Sequence, residues 1–178
     1  MIAPELLPHY TWEDCRRWEG DWELIAGIPY AMAPGPTARH QRLSLKIARQ
    51  LDEQLERCDD CQVLFETDWI VRDDTVVRPD VMVICGGIEG DWPTRTPRLI
   101  FEVVSPSTAL RDEKLKFELY QDEGVAHYVL VYPDLRTAKV WRLRDGRFVK
   151  RADAVNETLD FDLAGDFRIA FDFSRIWP

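Results

Sequence analysis

Leu99-Ile100-Phe101-Glu102-Val103-Val104 is a short, nearly continuous apolar run broken by one carboxylate. Runs of this length, rich in β-branched and aromatic residues, read as strands buried on both faces of a sheet. Val81-Met82-Val83-Ile84-Cys85 has the same character and follows Arg78-Pro79-Asp80, so an acid also stands at the entry to this second core strand. Beyond the first run, Thr108 to Glu123 reads as a helix ended by Gly124. His127–Tyr132 and Ala138–Leu143 follow as strands joined through Pro133-Asp134-Leu135-Arg136. Arg147–Arg151 is a last strand, and the remainder reads as a tail whose scattered aromatics pack back on the domain. Upstream, Val63–Phe65, Trp69–Arg72 and Thr75–Val77 read as strands, with Asp73-Asp74 as a turn. From about Thr37 to Arg57, Leu43, Ile47, Leu51 and Leu55 repeat at four-residue spacing, as on one face of an amphipathic helix. Pro34-Gly35-Pro36 is a break before it. Trp22–Ile25 and Ile28–Met32 form a hairpin about Ala26-Gly27, and Thr11 caps a short helix reaching about Glu19. The expected fold is therefore α/β or α+β, a mixed sheet flanked by helices, in one domain spanning residues 1–178.

Composition narrows the function classes. Hydrophobic residues at 46% and charged residues at 31% are ordinary globular values. No apolar run approaches the ~18–20 residues of a membrane span, and Met1-Ile2-Ala3-Pro4-Glu5 lacks the pattern of a signal peptide. A cytoplasmic protein without a membrane partner is expected. The net charge of −9 argues against broad nucleic-acid binding, because phosphate neutralisation needs Lys and Arg. That cost falls if the acids gather at a metal site or on a far face.

Cys15, Cys58, Cys61 and Cys85 are too few for a disulfide scaffold, and a reducing cytosol would keep them as thiols. Cys58-Asp59-Asp60-Cys61 has the spacing of a redox pair or half a zinc site. Two intervening aspartates are expected to blunt thiol reactivity, and Cys15 and Cys85 offer no matching spacing, so a polar loop is the expectation. The tryptophans share no period; packing is the default reading, a stacking platform for single strands the alternative.

Asp80 alone reads as a turn acid after proline. Glu102 is harder to dismiss, because a carboxylate amid Leu-Ile-Phe and Val-Val is costly to bury unless it pairs or binds a cation. A structural salt bridge and a functional site both answer it. Asp112, Lys116 and Tyr120 fall on one helical stripe, whereas Lys114 points elsewhere. An Asp112–Lys116 surface pair is the bland account. Together these residues suggest two carboxylates holding Mg²⁺ or Mn²⁺, with a lysine beside a metal-bound water to orient or deprotonate it.

Arg78-Pro79-Asp80-Val81, then Phe101-Glu102-Val103-Val104-Ser105-Pro106-Ser107-Thr108, then Asp112, Lys116, Tyr120, Gly124-Val125 and Tyr128 resemble the Uma-type restriction endonuclease family. That family is similar to the PD-(D/E)XK nuclease superfamily. Trp22-Glu23-Leu24-Ile25-Ala26-Gly27, Met32-Ala33-Pro34 and His40-Gln41 extend the resemblance to about residues 20–142. It implies a restriction-endonuclease-like fold, an endonuclease acting on DNA, and Asp80 and Glu102 as metal ligands with the Val103 carbonyl as a third. The superfamily's lysine would stand at Val104; the Uma-type pattern implies Lys116 instead. Glu23 and His40 match polar positions lining the pocket, although a histidine at a helix start is by itself more often a cap. The chain departs from the family's Gly-Val-x-Glu-Tyr-Trp, with His127 in place of the glutamate. Two other readings stay open. One is a nuclease fold kept as an inactive binding or accessory protein; the other is a metal-independent enzyme using Glu102 and Glu23 as paired carboxylates. A homodimer follows by analogy with cutting both strands of a duplex.

Overall fold

The computed structural model describes residues 8–32 and 35–177. The Met1–Glu5 stretch, Ala33 and Pro34 lie outside the described residues. The elements run α1 (Trp12–Cys15), β1 (Trp22–Ile25), β2 (Ile28–Ala31), α2 (Ala38–Leu55), β3 (Cys61–Phe65), β4 (Trp69–Arg72), β5 (Thr75–Val77), β6 (Val81–Cys85) and β7 (Leu99–Val103). A π-helical turn (Arg111–Leu115) runs straight into α3 (Lys116–Asp122). β8 (His127–Tyr132), β9 (Thr137–Arg144), β10 (Arg147–Ala154), β11 (Thr158–Asp162) and β12 (Arg168–Asp172) complete the chain with a 3-10 turn, Phe173–Arg175.

The principal sheet has the order β10-β9-β8-β7-β6-β3, mixed as expected: β7 and β8 are parallel and the other pairs antiparallel. The helix between β7 and β8 supplies the crossover that a parallel pair requires. Successive residues of a strand point to opposite faces. Val81, Val83, Leu99, Phe101, Val103, Val129 and Val131 therefore pack with Leu43, Ile47 and Leu51 of α2 on one side. Met82, Ile84, Ile100, Tyr128 and Leu130 pack with Leu119 and Tyr120 of α3 on the other. Glu102 has the parity of Ile100, so it faces α3 rather than α2. A second sheet, β2-β1-β5-β4, covers that same side through Ile25, Trp69 and Val77.

The carboxyl-terminal segment differs from a tail. β11 and β12 form an antiparallel hairpin that lays Phe161 and Phe171 against Phe101, with ring centroids 6.2 and 4.8 Å away. Gln50 of α2 ties the hairpin down by accepting from Asp172 N (2.7 Å) and donating to Asp172 O (3.1 Å).

The expectation of four thiols is overturned: Cys61 and Cys85 form a disulfide. They stand directly opposite across the β3–β6 pair, with Cα atoms 4.0 Å apart, a register that spacing along the chain does not reveal. Cys15 and Cys58 are free.

His127 gives the fold a pH dependence. Its Nε2 lies 3.1 Å from the Asp162 carbonyl oxygen, its ring meets Phe161 edge-on, and Nδ1 is buried without a hydrogen-bond partner among the described residues. Burial holds its pKa down at about 4; Arg142 and Arg151 add to the depression and Asp162 opposes it. The unfolded chain takes up this proton near 6.5. The contribution to stability is thus complete above that pH and is lost as pH falls towards 4, because the unfolded state binds more protons there. His127→Gln should reduce the loss of unfolding free energy between pH 7.5 and 4.5 by up to about 3 kcal/mol. Paired urea titrations of wild type and variant measure it, and identical losses would refute it.

Candidate metal and nuclease site

The two acids picked out by the core strands meet where β6 and β7 run side by side. Asp80 enters β6 as Glu102 leaves the middle of β7, and the backbones exchange contacts. Asp80 Oδ2 accepts from Val103 N (2.6 Å), and Glu102 Oε2 accepts from Asp80 N (3.3 Å). Val103 thus meets Asp80 through its amide N–H. His40, in the first turn of α2, brings Nε2 to 3.2 Å from Asp80 Oδ2. Thr37 caps that helix by accepting from His40 N, so the imidazole is free of the capping role.

Behind this pair lies a buried charge cluster. Lys116 Nζ lies 2.7 Å from Glu23 Oε1, 3.0 Å from Glu102 Oε1 and 3.8 Å from Asp112 Oδ1. Its amide reaches back to Arg111 O across the π-turn, which starts α3 with the ammonium facing the sheet. The Asp112–Lys116 pair expected at the surface is therefore interior, with both residues under 5% exposed. Tyr120 OH donates to Glu102 Oε1 (2.9 Å). Glu23 arrives from β1 on the same face as Ile25 and also accepts from Arg78 N and from Arg111 Nη1, each at 2.9 Å. The five residues singled out by sequence (Asp80, Glu102, Lys116, Glu23 and His40) form one chain of contacts.

The electrostatics follow from burial and neighbours. Burial raises the Glu102 carboxyl well above its usual range; Lys116 opposes this, and Asp80, Asp112 and Glu23 reinforce it. Burial also raises Asp112 against the pull of Lys116. Glu23 goes the other way: burial would raise it, but Lys116, Arg78 and Arg111 outweigh that and lower it. Burial disfavours the Lys116 ammonium, yet Glu102, Glu23 and Asp112 hold its pKa well above the ordinary value. His40 is likewise raised: burial favours the neutral ring, and Asp80, Glu66 and Asp112 overcome it.

Two participants escaped sequence reasoning. Glu66, just past β3, offers a carboxylate that joins His40 and Asp80 with ligand atoms all within 4.8 Å of one another. Gln41 Nε2 donates to Glu66 Oε1 (2.7 Å), and Glu66 N donates to Asp80 O. Glu66 sits at φ +46°, a left-handed backbone uncommon for a residue with a Cβ. Such strain tends to persist at functional sites. Its neighbour in the pair His40-Gln41 was the one signal available. Arg111 was the other omission; nothing in its local sequence marks it.

His40, Glu66 and Asp80 line a cleft of about 440 Å³, whose rim includes Ser105, Ser107 and Thr108. Five carboxyls, of Glu23, Glu66, Asp80, Glu102 and Asp112, gather there against two permanent cations, Lys116 and Arg111. The Arg78 guanidinium is engaged by Asp68 and Asp21 instead. Of these acids, Glu66 and Asp80 face the cleft, where a divalent cation could be held. His40 Nδ1 is buried and finds no hydrogen-bond partner among the described residues.

No curated protein matches the chain. A solved structure from Anabaena variabilis, described as "a putative nuclease belonging to DUF820", superposes with a TM-score of 0.71 at 14% identity, covering 94% of this chain and 97% of that one. At that identity it speaks for the fold. No helix among the described residues is long and apolar enough to cross a membrane. Residues 12–170 match the family described as "Uma2: Putative restriction endonuclease", and the chain belongs to that family.

Proposed function

We propose that this chain is a divalent-metal-dependent endonuclease of the PD-(D/E)XK type that hydrolyses DNA phosphodiesters, with Mn²⁺ or Mg²⁺ as cofactor. The observation that carries the reading is the convergence of His40, Glu66 and Asp80 on the cleft wall, directly in front of Glu102 and Lys116. The donor set fits a divalent ion. Asp80 and Glu66 supply hard oxygens, Glu102 Oε2 takes only a long bond from Asp80 N, and the Val103 carbonyl is the further oxygen that the family resemblance implies. An imidazole in the set favours Mn²⁺ over Mg²⁺.

When bound, such an ion polarises a phosphoryl oxygen and lowers the pKa of a bound water. The chain's own residues do the remaining work. Val103 N–H fixes one Asp80 oxygen, leaving the carboxylate oriented to the cleft. Lys116, held as an ammonium by three carboxylates, orients Glu102 and offsets its charge; already protonated at neutral pH, it has no lone pair with which to take a proton from water. Glu23 in turn holds Lys116. Ser105, Ser107 and Thr108 present hydroxyls to phosphate oxygens at the rim. Glu23 and Glu102 are 1% and 3% exposed, which denies a substrate the access that paired-carboxylate chemistry needs. A homodimer would place two such clefts on a duplex.

The test is cleavage of supercoiled plasmid and single-stranded DNA at low salt with Mn²⁺ or Mg²⁺, beside Asp80→Ala and His40→Ala. Wild-type cutting that chelator and Asp80→Ala each abolish, with Mn²⁺ more effective than Mg²⁺, is the expected result. Metal binding with no cutting of any nucleic acid would favour the accessory-protein reading.

A further inference from the structure

Across Arg78 from the cleft lies a second cavity, of about 310 Å³, walled by Trp12, Trp18, Trp22 and Trp92. Arg78 lines both cavities. Asp21, on the cleft side, and Asp68, on the indole side, each hold its guanidinium at 2.7 Å. The cavity is half open to solvent, and its four indoles are half-buried, with Trp12, Trp18 and Trp22 backed by Cys15, Leu24 and Val76. Its volume is that of a small-ligand site. Trp12 meets Trp92, and Trp18 meets Trp22, edge-to-face with centroids 5.5 Å apart and planes at 75°. Tyr10 meets Trp18 in the same manner at 5.0 Å, so none of these pairs is stacked face to face. Arg16, an exposed cation, lies 5.9 Å over Trp92.

The charge of the chain says what such a pocket is worth. At −9 the global field repels a polyanion, so a nucleic acid must gain affinity from something other than phosphate attraction. Base stacking on an aromatic ring contributes about 1–3 kcal/mol per base and does not depend on net charge. Asp68 and Arg78, paired with each other, are the charged part of the pocket wall.

Building on the nuclease reading, we propose that the tryptophan pocket takes one unpaired nucleobase of the strand whose phosphate lies in the cleft. The substrate is then nucleic acid with an unpaired base, either a single strand or a duplex from which the base is flipped. Arg78 is the partition between the base and the reacting phosphate.

The experiment is a tryptophan-fluorescence titration of the full chain in EDTA, where nothing is cut. The probes are a short single-stranded oligonucleotide, an abasic strand of the same length and a fully paired duplex. The base-bearing strand should quench the indoles and bind about tenfold or more tighter than the abasic strand. Trp92→Leu and Trp18→Leu should each remove most of that preference, bringing the two affinities to within about twofold, and Trp92→Phe should retain it. Near-UV circular dichroism and an unchanged melting temperature guard against misfolding. Quenching by the duplex assigns a flipped base; quenching confined to the single strand assigns an already unpaired one. Equal affinity for abasic and base-bearing strands, or a preference that survives both leucine substitutions, overturns the inference. Cutting is read separately with Mn²⁺: metal-dependent cutting without base preference sinks the pocket and leaves the nuclease reading intact. Base-dependent quenching without cutting does the reverse.

Discussion

Lys116→Met is expected to lower the unfolding free energy by about 3–5 kcal/mol at pH 8, and by clearly less at pH 5. Lys116 is 4% exposed and contacts three carboxylates, so the substitution removes the charge around which Glu23, Glu102 and Asp112 are buried. Methionine fills a similar volume, which separates the loss of charge from the opening of a cavity. In wild type the raised lysine pKa means its contribution is present up to the ordinary lysine range and is lost only above it. Glu23, lowered in wild type mainly by Lys116, contributes stability above the ordinary carboxyl range that is lost as pH falls. In the variant the same carboxyls, short of a cation, are driven to bind protons. A folded state that holds more protons than the unfolded chain loses stability as pH rises, so the variant should be weakest in base and partly recover in acid. Urea unfolding at the two pH values measures this. A loss under about 1 kcal/mol, or an equal loss at both pH values, would mean that water or another cation already compensates the cluster.

How far the sequence carries depends on whether a signal lies along the chain or across it. Glu102 was legible because it interrupts a continuous apolar run, where a carboxylate is costly to bury without a partner or a cation. The stripe grouped Asp112, Lys116 and Tyr120 but by itself favoured a surface pair; the family resemblance gave Lys116 its place in the site, and the π-turn at Arg111–Leu115 alters the helix on which that stripe was drawn. The hairpin of β11 and β12 was within reach: Leu159 and Phe161, then Ile169 and Phe171, alternate with polar or small neighbours. A reading by continuous apolar runs passes over that pattern and leaves a tail. The Cys61–Cys85 bond was out of reach because it depends on which residues of β3 and β6 stand opposite each other. Glu66 and Arg111 were hidden for the same reason. One joins Asp80 through a backbone turn at φ +46°, the other joins Glu23 from an element 88 residues away, and neither breaks a local pattern.

Asp80→Asn separates function from folding at the same site. It is expected to abolish metal-dependent cutting and the rise in melting temperature that metal produces, while leaving the metal-free melting temperature unchanged or higher. Metal at about a hundred times its Kd stabilises a protein by about 2.7 kcal/mol, which for a chain of this length corresponds to roughly 5–10 °C. The asparagine oxygen can still accept from Val103 N, so the backbone contact between β6 and β7 survives. What disappears is one negative charge among crowded carboxyls. Asp80 adds to the upward shift of Glu102, behind burial, and to that of Asp112, so its removal relieves repulsion within the cluster. The loss falls on His40, whose raised pKa rests on Asp80 first among its charged neighbours; it is full below pH 6.5 and fades as pH rises through the raised value, so the comparison in EDTA belongs at alkaline pH. A residue kept for folding should cost stability when neutralised; one kept to hold a cation should cost only the cation. Differential scanning calorimetry in EDTA and in Mn²⁺ distinguishes them. A variant that melts several degrees lower in EDTA, or that keeps the Mn²⁺-induced shift, would show that Asp80 serves the sheet and that the metal, if any, is held elsewhere.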